Sequence, residues 1–191
     1  MGYALKLHLT SPEDYLAAEE RATHKHEYVQ GEVYAMAGAS ERHNRIALNI
    51  AFHLRAASRG SPCRAFMADM KLRVAAHDAF YYPDAMLVCD PDDVHPIYKT
   101  APCFIAEVMS PATASIDVRE KLLAYRALPS LRYYLLADSE QVYARLYSRE
   151  ADGAWYQREL DASDVLALRC GPCEVPLCLD DLYEDTGLLV P

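Results

Sequence analysis

The sequence Phe80-Tyr-Tyr-Pro-Asp-Ala-Met-Leu-Val-Cys89 is apolar on both faces, as expected of a central strand that is covered on both sides. Asp84 interrupts this run and lies on the face of Tyr82, Met86 and Val88. An unpaired carboxylate in such a strand costs several kcal/mol. Asp84 is therefore expected to be matched by a cation, a metal or a proton.

A second apolar run, Cys103-Phe-Ile-Ala-Glu-Val-Met109, has the same arrangement. Glu107 interrupts it, on a face that it shares with three apolar residues, Cys103, Ile105 and Met109. For one such carboxylate, a structural ion pair with Arg or Lys is the simpler interpretation. Because two of them stand in strands that are expected to be neighbours, we favour a shared functional site.

Two further polar residues interrupt the apolar stripes of predicted helices. Lys121 lies three residues after Val118 and four before Tyr125, on a core-facing stripe. His43 falls beside Ile46 on the buried side of another helix, near its first turn. Each of them has a structural interpretation as the alternative to a functional role. Lys121 would then be a lysine that reaches the solvent at the helix edge, and His43 a core histidine that is hydrogen-bonded to a backbone group.

The pattern as a whole predicts one domain, 1–191, of the α/β (α+β) class, because helices are interspersed among many strands. A mass of 21.5 kDa suits a single domain. Helices are predicted at 11–23, 40–58, 116–128 and 179–183. Strands are predicted at 26–37 (a hairpin), 63–67, 70–74, 80–89, 103–109, 131–137, 142–148 and 155–160.

The charge of the chain is unevenly distributed. The net charge of −9 argues against a protein that coats DNA or an anionic membrane by charge alone. Positions 42–73, however, hold seven basic side chains against one acidic, a net charge of +6. The helix in this window carries an arginine face that could follow phosphates, whereas its Leu48 and Phe52 favour a subunit contact and a homodimer.

No run approaches the ~18 apolar residues of a membrane span, and no signal peptide is evident. Together these observations predict a cytoplasmic protein without a membrane partner. In a protein of that compartment, the six cysteines are expected to be thiols. Cys170-Gly-Pro-Cys173 resembles a redox motif. It follows a strand-like run and is better interpreted as a turn, so a thiol-redox function of Cys170 and Cys173 is the weaker alternative. A zinc site with Cys178 lacks a fourth ligand, because no His follows.

Several segments resemble the Uma-type restriction endonucleases of the PD-(D/E)XK nuclease superfamily, in order and over nearly the whole chain. These segments are His26-Glu-Tyr-Val-Gln-Gly-Glu-Val-Tyr-Ala-Met-Ala-Gly38, Ser40-Glu-Arg-His-Asn44, Tyr82-Pro-Asp84, Glu107-Val-Met-Ser-Pro-Ala-Thr113 and Asp117-Val-Arg-Glu-Lys121. The resemblance implies a restriction-endonuclease-like core, in which a mixed central β-sheet is flanked by helices.

The resemblance also implies a Mg²⁺ (or Mn²⁺) site built by Asp84, Glu107 and the backbone carbonyl of Val108. The superfamily's lysine usually stands two residues after the acid, where this chain has Met109. The Uma-type pattern places it on the following helix, at Lys121.

The expected function is that of a divalent-metal-dependent endonuclease that hydrolyses phosphodiester bonds in DNA. Lys121 would orient the attacking water or stabilise charge on phosphorus. Glu32 could extend the metal shell, and His43 could contact the water or a phosphate. The main alternative is a non-catalytic nucleic-acid- or protein-binding module of the same fold.

Overall fold

The structure is a computed structural model that describes residues 9–111 and 117–189. Its helices are α1 (Pro12–Glu19), α2 (Glu41–Ser58), α3 (Leu122–Arg126), which follows a π-helical turn over Asp117–Lys121, and α4 (Leu179–Tyr183). Within these two ranges, no helix has the length and apolar character needed to cross a bilayer. The strands are β1 (His26–Val29), β2 (Glu32–Ala35), β3 (Arg64–Met67), β4 (Lys71–Val74), β5 (Ala79–Tyr81), β6 (Ala85–Val88), β7 (Tyr98–Lys99), β8 (Pro102–Met109), β9 (Tyr133–Asp138), β10 (Ala144–Arg149), β11 (Trp155–Glu159), β12 (Val165–Cys170) and β13 (Cys173–Cys178).

The central sheet has six strands in the order β11-β10-β9-β8-β6-β3. β8 and β9 are parallel, whereas the other neighbours in this sheet are antiparallel. A second sheet has the order β2-β1-β5-β4-β7, and β12 and β13 form a separate hairpin. The predicted α+β class, with a mixed central sheet and flanking helices, is confirmed.

The predicted strand over 80–89 is wrong in one respect, since the structure divides it between two sheets. β5 pairs with β1 and β4, whereas β6 pairs with β3 and β8. Tyr82, Pro83 and Asp84 connect the two strands. Because Pro83 has no N–H group to donate to a ladder, the strand breaks there. Asp84 therefore lies at the start of β6, where the chain passes from one sheet to the other.

The central sheet is covered on both faces. On one face, α2 packs Ile46, Ile50 and Leu54 into a core with Ala106 and Val108. The opposite face carries a second core, built by these residues among others: Met86, Ile105, Met109, Tyr125 and Tyr134. The sequence-based assignment of Cys103 to the face of Ile105 is wrong, because a register shift between Leu87 and Val88 turns Cys103 toward the first core.

α2 has the predicted ends and the predicted buried face. The Ser40 side chain caps it by accepting the backbone N–H of His43 at 3.2 Å. The exposed face includes Leu48 and Phe52, which are 47% and 66% exposed. Capping at Ser40 fixes the first turn of the helix and thereby holds His43 beside the start of β6.

The expectation that all six cysteines are thiols is wrong. The structure has disulfides between Cys63 and Cys89 and between Cys103 and Cys170, with sequence separations of 26 and 67. Because Cys170 is bonded to Cys103, it does not form the Cys170–Cys173 disulfide on which the redox alternative depends. Cys173 is a buried thiol. Pairing of β3 with β6 brings Cys63 to Cys89, and packing of the β12–β13 hairpin brings Cys170 to Cys103. Both pairings depend on tertiary structure, so local sequence spacing could not reveal them.

Candidate active site

The two predicted carboxylates lie side by side at one end of the central sheet. β6 and β8 are antiparallel, with Ala85 opposite Ala106. The next position outward puts Asp84 opposite Glu107, and residues that face each other across an antiparallel pair share one face of the sheet. The prediction that these acids stand on neighbouring segments is confirmed.

Asp84 is held by a side chain and by the backbone of its neighbour. His43 Nε2 lies 3.0 Å from Asp84 Oδ1, and the backbone N–H of Val108 donates to Oδ2 at 2.7 Å. The side chain of Val108 itself belongs to the core beneath α2. Asp84 thus joins the first turn of α2 to the end of β8.

Glu107 is almost completely buried, with 3% of the residue exposed. The ammonium of Lys121 lies 3.2 Å from its Oε1, and the Tyr125 hydroxyl donates to the same oxygen at 2.7 Å. Burial, reinforced by the charge of Glu107, raises the pKa of the Tyr125 hydroxyl well above its ordinary range. Tyr125 therefore stays protonated and serves as a permanent donor to the carboxylate.

Lys121 is also buried, with 6% exposed, so it does not reach the solvent as a helix-edge lysine does. Its Nζ lies 3.0 Å from Glu27 Oε1 as well as near Glu107, and 5.7 Å from the centre of the Tyr81 ring. One ammonium thus lies between two carboxylates in a poorly solvated space. The core-facing position predicted for Lys121 is confirmed.

The π-helical turn over Asp117–Lys121 ends at this lysine. Single π-helical turns are rare and occur often at functional sites. Glu120 in the same turn accepts a hydrogen bond from the Tyr81 hydroxyl at 3.3 Å. Burial, followed by the charge of Glu120, raises the pKa of Tyr81, which keeps this hydroxyl a donor too. The sequence predicts a helix here, but it contains no signal for the wider turn.

Glu27 is the site residue that the sequence-based prediction missed. It is paired with Tyr34 across the β1–β2 hairpin, and Val29 is paired with Glu32. Glu27 and Glu32 therefore share one face of the hairpin. Glu27 also accepts the backbone N–H of Tyr82 at 3.3 Å. The cross-strand register is the signal that could have identified Glu27, because it places Glu27 on the same face of the hairpin as the predicted site residue Glu32.

Glu32 itself lies on the exposed edge strand β2, and its carboxylate accepts a hydrogen bond from the Tyr34 hydroxyl. The contacts with Lys121 described above are made instead by Glu27. The structure thus brings together Asp84, Glu107, Val108, Lys121 and His43, whereas the contact described for Glu32 is with Tyr34. The role of Glu32 in catalysis stays a prediction.

The arrangement offers hard oxygen donors beside one ammonium and one imidazole. Asp84, Glu107 and Glu27 supply carboxylates, Lys121 supplies an ammonium, and His43 supplies an imidazole. Such a combination can neutralise a divalent cation and also stabilise negative charge on a reacting group.

Comparisons with known proteins show what this chain is similar to. A sequence model of the Uma2 family, described as "Putative restriction endonuclease", matches residues 12–175. Two uncharacterised proteins of Synechocystis sp. are each 36% identical to this chain. One, slr1290, aligns over 83% of this chain and 84% of its own length. The other, sll1609, aligns over 77% and 85%.

The fold is shared with a solved structure from Anabaena variabilis, which is described as "a putative nuclease belonging to DUF820". The TM-score is 0.71, and the alignment covers 90% of this chain and 96% of that chain. The two sequences are 14% identical. The likeness therefore concerns the fold.

Proposed function

The chain belongs to the Uma2 family of restriction-endonuclease type, and we propose that it is a divalent-metal-dependent endonuclease that hydrolyses phosphodiester bonds in DNA. The observation that carries the proposal is the pair of opposed carboxylates, Asp84 and Glu107, with the buried ammonium of Lys121 3.2 Å from Glu107. Glu107 is buried and Asp84 is half-buried, and like charges in adjacent, poorly solvated positions are costly unless they serve a cation.

Asp84, Glu107 and the carbonyl of Val108 are the groups that would hold Mg²⁺ or Mn²⁺. The N–H of Val108 points toward Asp84, and in an extended strand the N–H and C=O of one residue point toward the same neighbouring strand. The Val108 carbonyl therefore points toward the side of Asp84. The backbone groups of the next residue point the other way, as expected in a strand, since the Met109 carbonyl accepts from Ser139 on the side of β9. Hard oxygen donors of this kind suit Mg²⁺ and Mn²⁺, and such a cation supplies Lewis-acid polarisation of a phosphodiester oxygen.

Lys121 and His43 are the groups that would act on the substrate. The Lys121 amino group lies 3.0 Å from Glu27 and 3.2 Å from Glu107, where it can orient the attacking water or stabilise charge that develops on phosphorus. His43 is oriented by Asp84 and can contact the water or a phosphate. Glu27 holds Lys121 in position through its own ion pair at 3.0 Å. Together with Glu32, Glu27 could extend the metal shell.

The test is nicking of supercoiled plasmid DNA in Mg²⁺ or Mn²⁺ by the wild type, Asp84→Asn and Lys121→Met. We expect each variant to lose at least about 100-fold in rate. Asp152→Asn, in the exposed turn between β10 and β11, is the matched control and should cleave like the wild type. Equal rates in all four proteins would identify a contaminating nuclease and refute the proposal.

Metal binding separates a catalyst from a non-catalytic module of the same fold. A ligand that binds only the folded protein raises its melting temperature. We expect Mn²⁺ to raise the melting temperature of the wild type and of Asp152→Asn, but not that of Asp84→Asn. A wild-type melting temperature that ignores Mn²⁺ up to millimolar concentration would favour the module.

A further inference from the structure

Three cysteine sulfurs meet on the face of the molecule where the β12–β13 hairpin packs, outside the candidate active site. Cys63 directly precedes β3, Cys89 directly follows β6, and Cys173 begins β13. Their Sγ atoms all lie within 4.8 Å of one another. Cys63 and Cys173 are buried and Cys89 is half-buried. The three segments are far apart in the sequence and converge only in the fold.

The cluster already contains one disulfide and one thiol. Cys63 and Cys89 are bonded, whereas Cys173 is a thiol whose sulfur lies 2.9 Å from the Ser61 hydroxyl. The carbonyl oxygen of Cys170 lies 3.6 and 3.2 Å from the sulfurs of Cys63 and Cys89. Opening the disulfide would therefore leave three thiols around one small space.

We propose that reduction of the Cys63–Cys89 disulfide creates a three-thiolate site, Cys63, Cys89 and Cys173, for one Zn²⁺ ion. A dithiol reductant supplies two electrons and two protons and becomes a disulfide, while Cys63 and Cys89 become thiols. Binding of Zn²⁺ then displaces three thiol protons to solvent. The proposal is independent of the nuclease function, because none of these residues touches the Asp84–Glu107 site in the contacts described above.

The distances suit this cation. Zn–S bonds of about 2.3 Å in a tetrahedral site separate two sulfurs by about 3.8 Å, which is compatible with the observed limit of 4.8 Å. Thiolates are soft ligands that favour Zn²⁺ over Mg²⁺. The Ser61 hydroxyl, which is hydrogen-bonded to Cys173, is placed to orient that sulfur or to stand at the fourth position.

The surroundings provide an entry path and a balancing charge. A cleft of about 420 Å³ reaches Cys63 and is also lined by Ser61, Arg55 and Arg64. Three thiolates and one Zn²⁺ carry a net charge of −1, and Arg55 and Arg64, which line the same cleft as Cys63, carry the opposite charge. The ion would link three segments, namely those before β3 and after β6 and the β12–β13 hairpin. The Cys63–Cys89 disulfide links only the first two.

The probe is Co²⁺, added to the full chain after reduction with a phosphine and removal of oxygen. We expect one thiolate-bound Co²⁺ per chain, identified by the strong near-ultraviolet absorption of sulfur-to-cobalt charge transfer, and displacement of this Co²⁺ by Zn²⁺. Affinity should rise with pH, because thiol protons compete with the metal. Cobalt bound at the carboxylate site would have oxygen ligands and would not give the sulfur-to-cobalt band. Asp84→Asn should therefore show this band at full intensity.

Cys173→Ser should lower the affinity at least tenfold, and Cys89→Ser, at the half-buried position, provides a second variant if the first one unfolds. Cys178→Ser is the matched control, since Cys178 is a thiol outside the cluster, and it should bind like the wild type. The oxidised wild type should give no band. Absence of the band in the reduced wild type, or wild-type affinity in both Cys173→Ser and Cys89→Ser, would overturn the proposal.

Discussion

At the scale of single residues, the candidate site depends on how one buried ammonium is shared. Lys121 contacts Glu107 and Glu27 at 3.2 and 3.0 Å, and Tyr125 adds a neutral donor to Glu107. The polar residues that interrupt apolar patterns, Asp84, Glu107 and Lys121, could be identified from the sequence, because each violates the rule for its predicted element. Glu27 could not be identified in that way, since it stands in a short hairpin strand where acids are ordinary and only tertiary packing brings it to Lys121.

Replacement of Lys121 by methionine should destabilise the fold in a pH-dependent manner. Removing the ammonium leaves Glu107 buried without its cation, at a cost of about 3–5 kcal/mol in the free energy of unfolding at pH 8. Glu107 can then take up a proton in the folded state as the pH falls. The folded variant would then bind more protons than its unfolded state. Its deficit in the free energy of unfolding, relative to the wild type, should therefore shrink as the pH falls from 8 to 5.

Urea unfolding at pH 8, 6.5 and 5 measures this deficit. Lys99→Met is the matched control, because Lys99 is also buried but donates to the backbone carbonyls of Asp93 and His95 rather than to a carboxylate. Its deficit should stay constant over the same pH range. A deficit of Lys121→Met that is equally constant would mean that the lysine does not neutralise Glu107.

At the scale of elements, the sequence predicts most helices and strands but not how they are joined. The end of β5 and the start of β6 appear as one apolar run, and only the missing N–H of Pro83 hints at a break. The helix around Lys121 is predicted, whereas its π-helical turn is not. In this turn Lys121 contacts Glu107 and Glu120 contacts Tyr81, and both contacts depend on tertiary structure. Both departures occur next to site residues, where local rules are most often violated.

The end of α1 is tied to the second sheet by Glu19. Its carboxylate accepts the His26 N–H at 2.9 Å and the Tyr82 hydroxyl at 2.8 Å. Burial alone raises the pKa of Glu19, but these donors and the His26 side chain outweigh it, so the net pKa is lowered from 4.5. A lowered pKa gives stability that is present above pH 4.5 and is lost as the pH falls through the folded-state value.

Glu19→Gln should therefore cost about 1–3 kcal/mol at pH 7, and the difference from the wild type should diminish as the pH falls below about 4.5. Guanidinium unfolding at pH 7, 5 and 3.5 provides the values. Glu20→Gln is the control, because Glu20 is the neighbouring residue and is exposed. Its free energy of unfolding should match that of the wild type at every pH. A difference that does not depend on pH would mean that the ionised form of Glu19 is not the stabilising one.

The β12–β13 hairpin is attached to the central sheet by the Cys103–Cys170 disulfide, which closes a loop with a sequence separation of 67. Loop-closure entropy gives an upper value of about 4 kcal/mol for such a link. Cys103→Ala should lower the free energy of unfolding of the oxidised protein by up to that amount, whereas Cys178→Ser should not. The deficit should largely vanish when both proteins are unfolded in the presence of a reductant, and its persistence there would assign the loss to packing at Cys103.

At the scale of the whole molecule, a net charge of −9 coexists with a basic window of +6 over positions 42–73. The structure puts much of that window on α2, whose first turn holds His43 beside Asp84. Part of the acidic excess lies in the candidate site itself, at Asp84, Glu107 and Glu27, where Lys121 and a divalent cation would offset it. Bulk charge could be predicted from composition, but its placement relative to the site required the fold.

If α2 guides DNA toward the site, its exposed arginines should contribute to binding through phosphate contacts. Arg55 and Arg59 are exposed near the C-terminal end of the helix, about 18–24 Å along its axis from His43. In the inactive Asp84→Asn background, Arg55→Ala/Arg59→Ala should weaken binding to a duplex. It should also reduce the slope of log K against log salt by about 1.8, because each lost phosphate contact removes about 0.9.

Fluorescence anisotropy with one labelled duplex between 50 and 200 mM salt measures both quantities. Arg169→Ala is the control, because Arg169 lies on the β12–β13 hairpin and is paired with Glu174, and it should leave the slope unchanged. An unchanged slope in the double variant would instead favour the interpretation that Leu48 and Phe52 imply, in which this face of α2 contacts a second subunit. That outcome would leave the metal site intact but would require DNA to approach it across another surface, because the phosphate contacts of α2 would then be absent.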